Sequence, residues 1–205
     1  SLNRFVYFLY TVDPDSNNVD TDPYSFGRLT RYRISTTDSN IVDTTSRAIL
    51  MGVNWTQGPL TAGSSHTVGS LRWGEDGSLL VSIGEGAESG QLDAGGLYPN
   101  AFGAGKTDPS EDMGSFRAQN RSSLGGKVLR INPQTGRGYS SNPWYQAGSP
   151  GSVRSRLWNY GMRNPFRICV RPGSGDPNPS VGDPGSLFVG DVGWSTWEEV
   201  NLSSD

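Results

Sequence analysis

The sequence predicts an all-β fold, a β-propeller of which this chain supplies only part of the blades, and three observations lead there. First, 28 glycines and 13 prolines punctuate the 205 residues, too often for long helices but suited to short strands joined by turns. Second, short segments rich in β-branched and aromatic residues recur between those turn formers, and none keeps a helical period. Third, some of the segments repeat one another, as sheets stacked around a common axis require.

The strand-like segments are RFVYFLYTV (4–12), RLTRYRIS (28–35), RAILMG (47–52), GSLRWG (69–74), GSLLVSIG (77–84), GKVLRINP (126–133) and GSLFVGDVG (185–193), with Gly, Asp, Asn and Pro at their bounds. Asp76-Gly-Ser-Leu-Leu-Val returns as Pro184-Gly-Ser-Leu-Phe-Val, 108 positions later. Arg28-Leu-Thr-Arg-Tyr-Arg-Ile is echoed by Lys127-Val-Leu-Arg-Ile-Asn. At propeller blade lengths of roughly 40–50 residues, the spacing of 108 reads as two blades plus an insertion. The insertion is 86–124, which has little strand character and the length of a functional or mobile loop. A second loop, 136–156, is rich in Gly, Ser and Pro and belongs on the surface. The chain holds material for about three or four blades and reads as one domain, 1–205, that is a piece of a larger propeller with its remaining blades absent.

Composition excludes several functions. Net charge is −3 and the 17 basic residues are scattered singly, so a nucleic-acid footprint is missing. The longest apolar runs fall far short of the roughly 20 residues of a membrane span. Residue 1 is not Met and no signal-peptide pattern follows it, which reads as a mature or trimmed chain. Hydrophobic content is 33% with six tryptophans, which predicts a core built on aromatic side chains. Cys169 is alone, excluding an internal disulfide and, with a single histidine, a Cys/His zinc cluster; within Ile-Cys-Val it reads as a small buried hydrophobe. Sequons at Asn54, Asn120 and Asn201 are compatible with secretion.

Four places could carry chemistry. His66 lies in Gly63-Ser-Ser-His-Thr-Val-Gly-Ser, a loop of small residues that gives imidazole no apolar face to fill. It is either free to act as a general base or a solvated loop histidine. Arg163 and Asn164 precede Pro165, which biases Asn164 towards an extended backbone. Arg163 then stands at a strand mouth, where its planar fork can grip a carboxylate or quinone oxygen, or serve in an inter-blade salt bridge. The stretch from Gly190 to Asn201 offers carbonyls and carboxylates of the kind that suit Ca²⁺, and Trp194 and Trp197 within it read as inter-blade packing. Asp93, Asp108, Glu111 and Asp112 read as a solvated acidic face.

Four stretches taken in order, SSHTVGSLRWGEDGSLLVSIGEGA, GGKVLRINPQTGRG, YGMRNPFRICV and GDVGWSTWEEVNL, resemble the glucose/sorbosone dehydrogenase family of six-bladed propellers, the soluble quinoprotein sugar dehydrogenases. The resemblance covers most of 4–205 and implies a secreted enzyme, extracellular or periplasmic, that oxidises an aldose with pyrroloquinoline quinone (PQQ) and Ca²⁺. It implies that His66 is the base for the anomeric hydroxyl, Arg163 the contact to the reactive quinone oxygen, and Asn164 a neighbouring cofactor contact. Gly193 and Trp194 match the turn whose carbonyls hold Ca²⁺. The hedgehog-interacting-protein branch shares these motifs and implies the alternative, a non-catalytic extracellular propeller that binds a protein or glycan partner. Ser65 in place of an Asp, Phe166 in place of a polar cofactor contact, and basic residues of later blades missing from this chain all favour that alternative.

Overall fold

A computed structural model describes residues 4–12 and 24–203. Among them the chain forms three antiparallel sheets in succession. The first runs β1 (Phe5–Val12), β2 (Ser25–Ile34), β3 (Val42–Met51), with the short β4 (Leu60–Thr61) pairing the start of β2. The second is a meander of β5 (Val68–Trp73), β6 (Leu79–Ile83), β7 (Lys127–Ile131) and β8 (Leu157–Tyr160). The third holds β9 (Pro165–Val170), β10 (Leu187–Asp191) and β11 (Glu199–Ser203). The one α-helical turn, α1 (Val153–Arg156), follows its Ser152 cap, whose side chain accepts from the Ser155 N–H. No helix among the described residues is long and apolar enough to cross a membrane.

The first strands of the sheets, β1, β5 and β9, lie side by side, as the inner strands of a propeller do. Arg72 Nε donates to the Ile168 carbonyl at 3.0 Å, and the Ile168 N–H to Ser70 Oγ at 3.2 Å, joining β5 to β9. Period-two alternation then places the core. Leu79, Val81 and Ile83 of β6 pack with Leu29 and Met51 of the first sheet, while Leu80 between them packs with Ile168, Leu187 and Val189 of the third. β6 and β7 are buried at every residue because they lie inside the middle sheet with a neighbour on each face.

Several expectations change. The two Gly-Ser-Leu segments open β6 and β10, the second strands of adjacent sheets, so 108 positions are one blade step enlarged by insertions and not two blades. Arg28–Ile34 and Lys127–Ile131 are a second and a third strand, so their likeness reflects similar burial and not equivalent position. The buried core is aliphatic, with Phe26 its one buried Phe, Tyr or Trp among the described residues; of the tryptophans, none of them buried, Trp73 and Trp158 lie on the edge strands of the second sheet and Trp55, Trp144, Trp194 and Trp197 in loops. Cys169 is exposed: β9 alternates, Ile168 takes the inner face, and Cys169 shares the outer face with Phe188 and Leu202. That outer face, with Val200 76% and Leu202 61% exposed, has no covering layer among the described residues.

The loop 86–124 is fastened down by two buried cations. Arg117 donates from Nε to the Glu85 carbonyl at 2.8 Å, from Nη2 to Gly86 at 3.0 Å and from Nη1 to Glu111 at 2.8 Å. Lys127 Nζ donates to the carbonyls of Arg117 and Ala118, at 2.8 and 2.9 Å, and to that of Gly125. The acidic residues of the loop are a solvated face only in part: Asp108 is exposed, whereas Asp93 is buried, accepting from the N–H groups of Gly95 and Glu88, and burial pushes the Glu111 carboxyl up. The loop 136–156 is likewise part inside, since Asn142 and Ser155 are buried.

Burial pulls the Lys127 ammonium from 10.5 down to about 7, against the Glu111 carboxylate. Across that window the unfolded chain holds a proton that the native chain has released, so stability rises with pH from about 7 to 10.5. Lys127→Met is expected to flatten this part of the plot of urea midpoint against pH; an unchanged slope would contradict the assignment.

Candidate functional site

His66 occupies the loop between β4 and β5 with φ +55°, in the left-handed region. Such a backbone costs on the order of 1–3 kcal/mol in a non-glycine residue and persists only where its surroundings impose it. The surroundings are on the end of β6: the His66 carbonyl accepts the Gly86 N–H at 3.0 Å, and Thr67 accepts that of Gly84 at 2.8 Å. A Cβ on Gly84 would stand 2.3 Å from the His66 carbonyl oxygen, so only glycine permits the approach.

The imidazole is buried and not solvated. His66 Nδ1 lies 2.6 Å from Glu85 Oε1, with the two residues 6% and 1% exposed. A carboxylate only accepts, which assigns a proton to Nδ1; in the neutral imidazole Nε2 then carries the lone pair and is the basic atom. Glu85 Oε2, on the carboxylate that holds this ring, and Oγ of Ser65, the residue before His66, are buried with no protein partner among the described residues. Two orphaned polar atoms on the residues that form this group fit a site that takes a polar ligand.

Arg163 and Asn164 meet this group across the seam between the second and third sheets. The Glu85 N–H donates to the Arg163 carbonyl at 2.9 Å, and Asn164 Oδ1 packs against Gly84. Asp191, at the irregular end of β10, accepts the Arg163 N–H on Oδ2 at 2.9 Å and the Asn164 N–H on Oδ1 at 2.6 Å. Burial pushes the Asp191 carboxyl up, opposed by these two bonds. The inter-blade salt bridge is not what Arg163 forms among the described residues, with Asp191 and Glu198 both near it. The Arg163 guanidinium instead donates from Nη1 to the carbonyls of Val192 and Gly193, at 3.1 and 2.9 Å, and lies 5.3 Å from the Trp194 ring centre. Nε and Nη2 keep their hydrogens without a protein partner among the described residues.

The turn after β10 is narrow. A Cβ on Gly193 would come 1.5 Å from the Trp197 carbonyl oxygen, and the Gly193 N–H is held by Glu198 Oε2 at 2.9 Å. Trp194 and Trp197, 56% and 80% exposed, do not pack between two sheets among the described residues. No group of three or more His, Cys, Asp or Glu side chains among the described residues could hold a metal ion. Any cation at this turn is met by main-chain carbonyls, and those of Val192 and Gly193 already converge on one positive group.

A model of the glucose/sorbosone dehydrogenase family matches residues 1–202. The chain belongs to that family. Among curated relatives, the HIPL1 protein of Arabidopsis thaliana is 28% identical over 153 residues, covering 69% of this chain and 18% of that protein. An uncharacterized protein of Synechocystis sp. is 28% identical over 173 residues, 83% of this chain and 32% of the other. Two solved structures titled glucose dehydrogenase superpose with TM-scores of 0.58 and 0.53 at 20% identity, covering 97% and 94% of this chain and 42% and 40% of those chains. The fold is therefore the family's propeller, and the chain spans less than half the length of these relatives and structures.

His66, Arg163, Asn164 and Gly193 thus gather at one end of one seam, with Trp194 stacked on the arginine. Sequence reasoning missed Glu85. Its signal was an acid between two glycines directly after the apolar strand LLVSI, a costly place for a charge without a partner. Replacing Asp191 by Ala is expected to orphan two N–H groups and to destabilise the fold by about 2–4 kcal/mol in urea unfolding; a loss within about 0.5 kcal/mol would show that the clamp is not needed.

Proposed function

We propose that the protein oxidises an aldose by hydride transfer to PQQ, with Ca²⁺ at the turn that follows β10, and that it works outside the cytoplasm. The buried His66–Glu85 pair carries this reading: a base with an assigned tautomer, an oriented ring and a free Nε2 is more than a scaffold needs. Exposure of Asn54 and Asn201 leaves two sequons open to glycosylation, in keeping with export.

The residues fit the cofactor through the two free donors of Arg163 and the orphaned hydroxyl of Ser65. When bound, PQQ supplies an electrophilic quinone carbon for the hydride, and Ca²⁺ polarises it. His66 Nε2 takes the proton of the anomeric hydroxyl while the C1–H bond breaks and its electron pair leaves as hydride, so that C1 becomes the lactone carbonyl. Glu85 keeps the ring in place and stabilises the imidazolium that forms. Arg163 offers Nε–H and Nη2–H to the oxygen on which negative charge develops. Asn164 holds the end of β6 through its contact with Gly84.

One observation favours a second reading, an extracellular propeller that binds a protein or glycan partner. Phe166 is half exposed where the resemblance places a polar cofactor contact, and its ring carries the Arg167 guanidinium at 4.0 Å.

Titration of the full-length protein with PQQ, with and without Ca²⁺, separates the two. Saturable, Ca²⁺-dependent uptake and aldose oxidation are expected, with kcat about 10²–10⁴-fold lower in His66→Ala. Absence of PQQ uptake would remove the dehydrogenase reading.

A further inference from the structure

Consecutive carbonyls of a strand point to opposite sides, yet those of Val192 and Gly193 both reach Arg163 Nη1, at 3.1 and 2.9 Å. The turn is built for that convergence. Gly193 fits only without a Cβ, Glu198 holds its N–H, and Asp191 fixes the main chain of Arg163 on the other side. The backbone at both ends is therefore set, and the long side chain of Arg163 is the movable part. Its position over Trp194, a ring 56% exposed, gives that movement a reporter.

We propose that Arg163 is a resident counter-cation that competes with a divalent cation for the Gly193 carbonyl, one of the two carbonyls assigned to Ca²⁺ above, so that cation binding there releases the guanidinium. The proposal rests on the calcium part of the function proposed above. A calcium ion sits about 2.3–2.6 Å from its oxygen ligands, and a guanidinium nitrogen 2.9 Å from the same Gly193 oxygen would face it as a like charge at close range. One cation displaces the other. Loss of the bond from Nη1 leaves every guanidinium donor free, while the two N–H bonds to Asp191 keep the residue at the site.

The test is calcium binding by the full-length protein without PQQ, read by calorimetry and by tryptophan emission, in wild type, Arg163→Ala and Arg163→Gln. Arg163→Gln keeps a donor of similar length without charge and covers the case in which Arg163→Ala fails to fold. Both variants are expected to bind Ca²⁺ tighter, on the order of tenfold or more, because the competing charged hydrogen bonds are gone. Wild type is expected to change its emission on Ca²⁺ addition, and Trp194→Phe to lose that change. Equal or weaker Ca²⁺ binding by the folded variants would overturn the competition while leaving the calcium reading in place. If no form binds Ca²⁺, the competition and the calcium reading fall together.

Discussion

The bond between His66 Nδ1 and Glu85 Oε1 is the interaction on which the rest of the site depends, because Glu85 is where three separate elements are tied together. Its carboxylate orients the imidazole, its N–H meets the Arg163 carbonyl of the third sheet, and its own carbonyl accepts from Arg117 of the long insertion. A residue with that many obligations has one position open to it. The strained backbone of His66 follows from the same constraint, since its carbonyl must reach the Gly86 N–H beside Glu85.

Polar groups at the two ends of the seam and apolar groups between them explain how two sheets stay in register. The middle is Leu80, Val128, Ile168, Leu187 and Val189. At the far end Arg130, fully buried, pairs with Asp76 and donates to Asn142 and to the Pro179 carbonyl. Apolar packing supplies the stabilisation, and the polar ends supply direction, since a shift would leave buried charges without partners. Lys127 and Arg117 apply the same logic with neutral acceptors, each cation surrounded by main-chain carbonyls.

Much of the fold was legible in the residues. Turn formers and period-two segments placed most of the strands, and the repeated Gly-Ser-Leu marked equivalent strands of two blades, although its spacing read as two blade steps and not one. What stayed hidden depends on neighbours distant in sequence. Short strands such as Leu157–Tyr160 and Glu199–Ser203 owe their existence to pairing with β7 and β10. Cys169 read as buried because Ile-Cys-Val is apolar as a string, whereas alternation sends it outward onto a face that the described residues leave uncovered. At the site, His66, Arg163 and Asn164 were visible through local oddity and through motif. Glu85 was not, because its role comes from a partner 19 positions back in sequence. Burial could be guessed for an acid after an apolar strand, but not which base it serves.

The most direct measurement on this account is the rate at which the full-length, PQQ-loaded protein oxidises an aldose carrying deuterium at C1, compared with the ordinary sugar, in wild type and in Glu85→Gln. The account predicts slower oxidation of the deuterated sugar under single-turnover conditions, and a Glu85→Gln variant that is slower still on both sugars while taking up PQQ normally. Oxidation at the wild-type rate in Glu85→Gln would contradict the central place given to the His66–Glu85 pair.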